Sequence, residues 1–502
     1  MGTSKARDTW QYGDFQTPPA LASAACARLA AMGIEPGTII EPTCGRGAFL
    51  EAAVPAFPTA TALLGVDLNP AYVEEARSRV RAAGCNTARV EPGDFFITDW
   101  ERLAAPCDGP LLVLGNPPWV TSAELGSLKS TNLPTKSNFQ GHRGLDALTG
   151  KANFDISEWM LLQQVGWLRK GPGWIAMLVK TAVARKALRQ MWKAGEPVGR
   201  ASMFEIDAMR HFGASVDACL FVLPVGVGSP SRDCDVFDGL EAAEPTSTIG
   251  WHDGHLVSDV AAYMEHRDLI GPGDDWTWRS GVKHDCAKVM ELTRDDGGVL
   301  RNGLGDAVEI EPDLLFPMLK SSDVAKGRAR GDRYMIVTQP KIGADTSRIA
   351  TTAPATWAYL NDHGERLDAR GSVIYRGKPR FCIFGVGDYT FAPWKVAISG
   401  FYKSVRFSKF GPLEGKPVVF DDTVYFLPCR SEKEADLILR LVRSNPYREL
   451  LASMTFPSEK RPVTTDLLRR ISFENVAASI GLLDELESYG PYDIRSAEAV
   501  IR

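Results

Sequence analysis

The sequence has little of what a metal centre or a disulfide framework requires. Its 502 residues include nine cysteines, none in a Cys-x-x-Cys pair and none with a histidine at ligand spacing. No apolar run approaches the roughly 20 residues that cross a bilayer, and the first residues lack the pattern of a signal peptide. We therefore expect no metal site, no membrane span and a reducing, cytoplasmic location.

One phosphate-binding signature and one nuclease signature are also missing. No Gly-Lys-Ser/Thr follows the glycine-rich turn near residue 45, which excludes a P-loop. We find no Pro-Asp…Glu-x-Lys arrangement before residue 12 or after residue 475, so we predict no DNA cleavage activity. The whole sequence is 44% apolar and 24% charged, which is the profile of a globular protein. Its length predicts two or three domains.

Charge is distributed unevenly along the chain. The net charge is −5, yet residues 320–470 contain 26 Lys and Arg against 16 Asp and Glu, or +10. The rest of the chain therefore carries −15. A basic C-terminal region on an acidic body favours a polyanionic partner.

The first 225 residues alternate strand and helix signals, which predicts a three-layer α/β domain with a Rossmann-like sheet. Two late strands, with no room for a helix between them, favour a final antiparallel pair on an otherwise parallel sheet. The long polar segment 120–151 is predicted to be a flap that faces the substrate. The predicted strands are 38–41, 62–67, 87–90, 111–114, 174–179, 203–206 and 219–223, and the helices start near 48, 70, 156 and 184.

Composition changes divide the chain into three predicted parts. A Gly, Pro and Ser-rich stretch at 225–231 ends a first domain at residues 1–228. Residues 229–312 form a connecting segment to which we assign no role. Residues 313–502 are predicted to be a mixed α+β domain, with short β-type runs at 334–338, 381–384, 395–399, 418–420 and 424–427.

The most informative motif is Asn-Pro-Pro-Trp at residues 116–119, directly after an apolar strand. Ligands bind at the carboxyl ends of such strands. The Asn116 side-chain oxygen and the Pro117 carbonyl can accept the hydrogens of a planar amine, and Trp119 can cover its flat face. Because proline fixes its own φ and restricts the residue before it, Pro117 and Pro118 make this arrangement rigid. The motif predicts methyl transfer to an exocyclic nitrogen.

A second group of motifs predicts a nucleotide-like cofactor. A glycine bend with Gly45 and Gly47 joins the first strand to a helix N-terminus. Asp67, 20 residues after Gly47 and at the end of the next strand, is placed to accept both ribose hydroxyls. Asp94 and Phe95 follow the third strand and can accept from an adenine amino group and stack on its ring.

Together these elements resemble the gamma-class N6-adenine DNA methyltransferases of restriction–modification systems. Phe-Gln-Thr-Pro-Pro at residues 15–19 matches the first motif of that family, and the glycine bend and Asn-Pro-Pro-Trp follow in the family order. The resemblance is specific over residues 12–225 and looser over 314–475. Trp119 departs from the commoner tyrosine but still offers a stacking face.

This resemblance implies a seven-stranded class I domain that binds S-adenosylmethionine, followed by a C-terminal target-recognition domain. It implies duplex DNA as substrate, a flipped-out adenine with Phe212 as a second aromatic face, a prokaryotic or phage source, and possession of a separate cognate restriction endonuclease. The sequence has no catalytic cysteine of the C5-cytosine type. The residues implied to bind the cofactor are Thr17, Glu41, Cys44, Gly45, Gly47, Asp67, Asp94 and Phe95.

The recognition region is similar to family members at residues 316–324 and 393–400. Basic and aromatic residues interleave there, as expected for contacts to phosphates and bases. The residues predicted to contact DNA are Lys320, Lys341, Lys395, Lys403 and Arg406.

Other readings stay open at this point. Enzymes that methylate RNA guanine or protein glutamine share the tetrapeptide, but they are generally compact and lack a basic module of this size. N4-cytosine methylation usually shows serine in place of Asn116. A catalytically dead DNA-binding specificity protein is a further alternative, against which the intact Asn116 and Asp67 argue.

Overall fold

The structure is a computed structural model that describes residues 15–104, 109–120, 155–168, 171–271, 276–329, 331–401, 405–459 and 461–490. The chain divides into two compact units, Met1–Val260 and Ala261–Arg502. The predicted flap lies outside the described residues except for Val120, and so does Lys403. Among the helices within these ranges, none combines the length and the apolar character needed to cross a bilayer.

In the described part of the first unit, ten strands form one sheet. Their order across the sheet is β10-β9-β8-β6-β7-β5-β4-β1-β2-β3 once they are numbered along the chain. The strands are β1 Thr38–Glu41, β2 Ala62–Asp67, β3 Arg89–Pro92, β4 Leu111–Gly115, β5 Gly173–Lys180, β6 Ala201–Ile206, β7 Ala218–Val225, β8 Asp233–Phe237, β9 Ser247–His252 and β10 His255–Val257.

The central strands are the apolar runs of the sequence. Every residue of β1 and β4 is buried, and β1 pairs in parallel with β2 on one side and with β4 on the other. Apolar side chains on both faces suit strands that are covered by helices on both sides. The carboxyl ends of β1, β2 and β4 therefore meet at one edge, where the predicted motifs lie.

Helices flank this sheet, and their ends follow the capping signals of the sequence. Asn69 accepts a hydrogen bond from the Ala71 N–H at 3.0 Å and Pro70 occupies the first helical position, as predicted for the helix that starts there. The helices are α1 Pro19–Ala31, α2 Ala48–Ala56, α3 Pro70–Ala82, α4 Trp100–Ala104, α5 Ile156–Trp167, α6 Thr181–Ala194 and α7 Ala208–Phe212.

The late strands pair as predicted, but the connection between them differs. β7 runs antiparallel to both β5 and β6, so the antiparallel pair is confirmed. The expectation that no helix fits between them is wrong, because the five residues of α7 form a short one. Asp207 caps it by accepting from the Arg210 N–H at 2.9 Å, and Gly213 ends it with a φ of 65°.

The sheet is also wider than the seven strands expected. The additional strands β8, β9 and β10 come from residues 233–257, inside the predicted connecting segment. β8 pairs in parallel with β6, and β9 and β10 continue the sheet as antiparallel neighbours. The segment 229–312 is thus divided between the two units, and its first part extends the sheet of the first one.

The second unit contains two smaller sheets in its described part, with the orders β11-β19-β16-β17 and β13-β12-β15-β14-β18. Buried aliphatic and aromatic side chains form two core clusters in this unit, one of which contains residues of both sheets. The strands are β11 Arg279–Ser280, β12 Glu291–Arg294, β13 Leu300–Asn302, β14 Leu315–Leu319, β15 Arg333–Ile336, β16 Trp394–Ser399, β17 Ser408–Phe410, β18 Val419–Phe420 and β19 Val424–Cys429.

Short helices complete this unit, so the mixed α+β texture read from the sequence is present. The α-helices are α8 Val260–Glu265, α9 Ala287–Met290, α10 Ser321–Lys326, α11 Ile349–Thr352, α12 Pro354–Asp362, α13 Gly364–Asp368, α14 Glu432–Arg443, α15 Asn445–Ser453, α16 Thr465–Leu468, α17 Phe473–Ser479 and α18 Leu483–Glu487. Within the described residues of this unit, four 3-10 turns lie at Arg267–Leu269, Pro312–Leu314, Val373–Tyr375 and Asp388–Phe391.

One predicted strand of this unit is absent from the described residues 381–384. Phe381 has a φ of 66°, which lies in the left-handed region and outside the β region of a regular strand. The apolar run is buried all the same, since Phe381, Cys382 and Ile383 are each almost inaccessible. The apolar pattern therefore indicated burial correctly and the β conformation wrongly.

Candidate active site

The glycine bend brings the chain from β1 to α2 at the edge of the first sheet. Gly45 and Gly47 have φ values of 49° and 82°, which glycine adopts without steric cost. A Cβ atom on Gly47 would lie 2.7 Å from the Cβ of Ala76, so α3 packs directly against the bend. The bend is thus held against α3 by a close contact that only glycine permits.

Asp67, the last residue of β2, fixes the bend from the other side. One carboxylate oxygen accepts from the Gly45 N–H and the other from the Asn69 N–H, both at 2.8 Å. A carboxylate oxygen has two lone pairs. Asp67 can therefore hold the bend and still accept the hydroxyls of a ribose.

A cavity of about 580 Å³ joins the glycine bend to the Asn-Pro-Pro-Trp motif. This volume falls within the roughly 300–1,000 Å³ of small-molecule sites. Of the predicted site residues, the lining includes Thr17, Glu41, Cys44, Gly45, Asp67, Phe95, Asn116 and Pro118. The lining does not include Gly47, Asp94, Pro117, Trp119 or Phe212.

Glu41 places a buried carboxyl group on the cavity wall. Burial raises the pKa of Glu41 well above its ordinary value, the nearby Asp67 raises it further, and the Leu50 N–H lowers it. Its Oε2 atom is buried and has no hydrogen-bond partner among the described residues. A buried acceptor in this state fits a cationic amino group, such as that at the methionine end of S-adenosylmethionine.

Asn116 has one half of its side-chain amide engaged and the other half not. Its Nδ2 donates to the backbone carbonyl of Phe15 at 2.9 Å. Its Oδ1 is buried and has no hydrogen-bond partner within the described residues. Because the Phe15 carbonyl takes up the amide N–H, the oxygen is the half left to accept a hydrogen from a ligand.

The predicted aromatic faces contact each other. The ring centroids of Trp119 and Phe212 are 5.1 Å apart in an edge-to-face pair, and Phe15 packs against both rings. The indole N–H of Trp119 donates to the Leu178 carbonyl at 3.1 Å, which fixes the ring. In this conformation there is no room for a base between Trp119 and Phe212.

Lys180 holds the Asn-Pro-Pro-Trp tetrapeptide in place through its last residue. Its ammonium group donates to the Trp119 carbonyl at 3.0 Å and to the Asp155 carboxylate at 2.7 Å. Asp155 in turn caps α5 by accepting from the Ser157 N–H at 3.2 Å. Lys180 therefore links the end of the Asn-Pro-Pro-Trp motif to the start of α5 through a largely buried ion pair.

The residues after β3 are placed differently from their predicted roles. Phe95 lines the cavity, but it also packs in an aromatic cluster with Trp100, Trp159 and Trp167. Asp94 accepts from the Phe96 N–H at 2.9 Å and does not line the cavity. The carboxylate of Asp94 thus stabilises the local turn.

Sequence reasoning missed several apolar wall residues, namely Leu68, Tyr72, Phe96, Ile156 and Met160. Leu68 is the clearest example, since this large apolar side chain is 58% exposed and lines the cavity directly after Asp67. An apolar residue just past the end of a strand, next to a ligand-binding acid, was the available signal. Ile156 and Met160 are four residues apart on α5 and so share one helix face.

The five residues predicted to contact DNA have different environments. Lys395 is buried, its Nζ donates to the Ala392 carbonyl at 2.6 Å, and burial lowers its pKa to about 7. It cannot reach a phosphate, which corrects its predicted role. Lys320 forms a 2.5 Å ion pair with Glu291. Lys341 and Arg406 are exposed, and Lys403 lies outside the described residues.

Comparison with known proteins identifies relatives of this chain. No family model matches the sequence. The chain is 42% identical over 471 residues to the type II methyltransferase M.NspV of Nostoc sp., which covers 94% of this chain and 98% of that protein. It is 30% identical over 131 residues to the type II methyltransferase M.XamI of Xanthomonas campestris pv. amaranthicola, 26% of this chain and 23% of that protein.

The fold is also similar to a solved structure, that of the type IIL restriction-modification enzyme MmeI in complex with DNA. The TM-score is 0.50 at 12% sequence identity, over 92% of this chain and 72% of that one. The mixed sheet, the glycine bend and the Asn-Pro-Pro-Trp corner define an S-adenosylmethionine-dependent methyltransferase. The extent of its identity to M.NspV shows that the chain belongs to the type II methyltransferases of restriction–modification systems.

Proposed function

We propose that this chain transfers a methyl group from S-adenosylmethionine to N6 of an adenine flipped out of duplex DNA. The observation that carries the proposal is the buried Asn116 Oδ1, which has no hydrogen-bond partner among the described residues and belongs to a side chain that lines the cavity. An adenine amino group supplies the hydrogen-bond donor that this oxygen requires. The proposal thus supplies a partner for a group that would otherwise cost free energy to bury.

In this proposal, the chain activates the adenine amino nitrogen, which is a poor nucleophile. The lone pair of an adenine amino nitrogen is delocalised into the ring, so the nitrogen is nearly planar and weakly reactive. Two acceptors on its hydrogens, Asn116 Oδ1 and the Pro117 carbonyl, pull the nitrogen toward a tetrahedral shape and localise its lone pair. Since both acceptors are held rigidly, this is catalysis by preorganised position and electrostatics, without a covalent intermediate on the protein.

S-adenosylmethionine supplies an electrophilic methyl group on a sulfonium. Glu41 would hold its amino group, Asp67 its ribose, and Leu68 and Phe95 would cover apolar parts of it. These residues line one cavity with Asn116, so the donor and the proposed acceptor share a single cavity. Thr17 and Gly45 line the same space and would contact the bound molecule at the bend.

A base in a duplex cannot reach such a cavity, so the adenine is extruded at a cost of roughly a few kcal/mol in stacking. Trp119 and Phe212 supply the aromatic surfaces that replace this stacking. Because the two rings now contact each other, at least one of them moves when the base enters. In this proposal, ring separation accompanies base flipping.

Target recognition is assigned to the second unit, whose residues 320–470 carry a charge of +10. The solved relative by fold, MmeI, was determined in complex with DNA. A positive region offers the phosphate contacts that dominate DNA affinity. As a modification enzyme, the chain would protect sites that a separate cognate endonuclease cleaves.

The test is methylation by the purified full chain with radiolabelled S-adenosylmethionine and duplex DNA, followed by nucleoside analysis. N6-methyladenine supports the proposal, whereas N4-methylcytosine would reassign the target base. RNA and total protein serve as parallel acceptors, and label in either instead of DNA would overturn the proposal. Measurable cofactor binding with no methylation of any acceptor would indicate a catalytically dead specificity protein.

A further inference from the structure

In the second unit, the backbone carbonyls of four successive residues each accept a hydrogen bond from a side chain. This four-residue segment, 380–383, is called the rail below. The carbonyl of residue 380 accepts from Thr346 Oγ1 at 2.5 Å and that of residue 381 from Thr338 Oγ1 at 2.9 Å. The carbonyl of residue 382 accepts from Arg370 Nη1 at 2.7 Å and that of residue 383 from Gln339 Nε2 at 3.2 Å. These four donors mark the ends of two loops.

The first loop, residues 340–345, lies between the donors Gln339 and Thr346, so both of its ends are fixed to the rail. The second loop, residues 371–379, starts after the donor Arg370 and runs directly into the rail. Both loops therefore rise from the same four residues. They form one element, called the twin loop below.

The rail is a rigid base for this element. Thr338, Gln339 and Thr346 are all buried, and their bonds to the rail are therefore shielded from water. Phe381, within the rail, is fully buried and has a φ of 66°, a conformation that persists only when the surroundings enforce it. Trp357 packs edge-to-face on its ring at 5.4 Å. A fixed base and exposed tips are typical of loops that bind a partner.

The tips of the twin loop carry cations without ion-pair partners. Lys341, Arg376 and Lys378 are exposed, and none of them has an ion pair with another described residue. The neighbouring Arg380 contrasts with them, since it pairs with Asp368 at 2.9 Å. The acidic residue of the first loop, Asp345, accepts from the Ser347 N–H and hydroxyl at 2.9 and 2.7 Å.

Each tip also exposes one large aliphatic side chain. Ile342 is 53% exposed next to Lys341, and Val373 is 54% exposed in the second loop. Among the described residues these are two of nine large apolar side chains with such exposure. Exposed aliphatic groups beside unpaired cations suit a partner that offers both phosphates and apolar edges.

We propose that the twin loop grips duplex DNA, with Lys341, Arg376 and Lys378 on phosphates and Ile342 and Val373 on base edges in a groove. The inference rests on the proposed function and identifies the segment that recognises its substrate. Phosphate contacts position a protein on the duplex, while apolar contacts such as those to the thymine methyl group read its sequence. The two kinds of side chain therefore have separable effects.

The first experiment measures DNA affinity against salt concentration for the full chain and for a triple variant, Lys341→Ala with Arg376→Ala and Lys378→Ala. Each lost phosphate contact lowers the slope of log affinity against log salt by about 0.9, so we expect a decrease of about 3. A matched triple, Lys288→Ala with Lys433→Ala and Arg448→Ala, removes exposed cations elsewhere in the unit and should leave the slope unchanged. An unchanged thermal unfolding profile confirms that the variants are folded.

The second experiment measures sequence preference on a library of duplexes with Ile342→Ala and Val373→Ala. We expect methylation to spread to sites that differ from the preferred one by a base pair, with the salt slope retained. If the wild type methylates DNA while the triple variant keeps its salt slope and the aliphatic variants keep their preference, the twin loop is not the DNA contact. If the wild type methylates no DNA at all, the proposed function itself fails.

Discussion

The side-chain amide of Asn116 donates to the backbone carbonyl of Phe15 across 101 residues of sequence, at 2.9 Å. The contact engages the amide N–H and leaves the buried Oδ1 without a hydrogen-bond partner among the described residues. It also connects the Phe-Gln-Thr-Pro-Pro element to the reaction, because the first residue of that element positions the proposed acceptor. Two substitutions at Asn116 test both halves of the amide.

Asn116→Ala should abolish methylation, with a decrease in kcat of roughly a hundredfold or more, as for loss of one group that stabilises a transition state. Asn116→Asp keeps an acceptor but loses the N–H that binds the Phe15 carbonyl, so we expect a comparable loss. Both variants should bind S-adenosylmethionine almost normally by calorimetry. Near wild-type turnover in Asn116→Ala would remove Asn116 from the mechanism, whereas near wild-type turnover in Asn116→Asp would show that the bond to the Phe15 carbonyl is dispensable.

Glu41→Gln should change how the protein depends on pH. Burial raises the pKa of Glu41, so the folded carboxyl keeps its proton at pH values where the unfolded chain has released it. Free energy of unfolding therefore decreases as pH rises from the ordinary glutamate pKa toward the raised one. The variant lacks this dependence and should be more stable than wild type at the upper end of that range. Urea unfolding of the cofactor-free protein at several pH values measures the difference.

The same carboxyl should couple cofactor binding to proton release. A bound ammonium group favours the ionised form of Glu41, so binding expels the proton and strengthens as pH rises toward the raised pKa. Calorimetry in buffers of different ionisation enthalpy detects this release. With Glu41→Gln we expect affinity to decrease by about tenfold, or about 1.4 kcal/mol, and the proton release to disappear. Release that persists in the variant assigns it to another group.

Asp67→Ala should weaken S-adenosylmethionine binding by more than tenfold. The substitution removes the expected ribose acceptor and also leaves the N–H groups of Gly45 and Asn69 without their present partner. Titration calorimetry gives the affinity, and DNA affinity measured without cofactor serves as the control. An unchanged dissociation constant for S-adenosylmethionine would exclude Asp67 from the cofactor site.

Lys180→Met should destabilise the fold by about 3 kcal/mol, because it leaves the Asp155 carboxylate without its cation in a mostly buried place. The double variant with Asp155→Asn removes both charges and should regain much of that stability. Turnover should stay low in the double variant, since the Trp119 carbonyl still lacks its anchor. Lys193→Met, an exposed lysine on α6, is the matched control. Recovery of turnover together with stability would limit Lys180 to a structural role.

Local patterns were enough to predict the core of the first unit. The apolar runs at β1 and β4, the Asn-Pro start of α3 and the glycine bend are each determined by neighbouring residues, and the structure confirms them. The additional strands β8–β10 were missed because they are short and only partly buried, so their apolar alternation is weak. Their place in the sheet depends on the edge offered by β6.

The environment of a single charged residue was harder to predict than the fold. Lys395 follows Trp394 in a strand, and a lysine in a basic region is ordinarily expected at the surface. Here β16 is paired on both sides and the Lys395 side chain turns back to the Ala392 carbonyl inside the unit. The bond between Asn116 and Phe15 was equally hidden, because no local pattern reports a contact across 101 residues.

The rail at residues 380–383 separates the support of the two loops from the identity of their exposed side chains. Its hydrogen bonds come from side chains that lie outside the two loops, so substitution of the exposed loop side chains leaves these bonds in place. If the twin loop reads the target as proposed, exchange of two short peptides would change the target site while the residues around the cavity stay as they are.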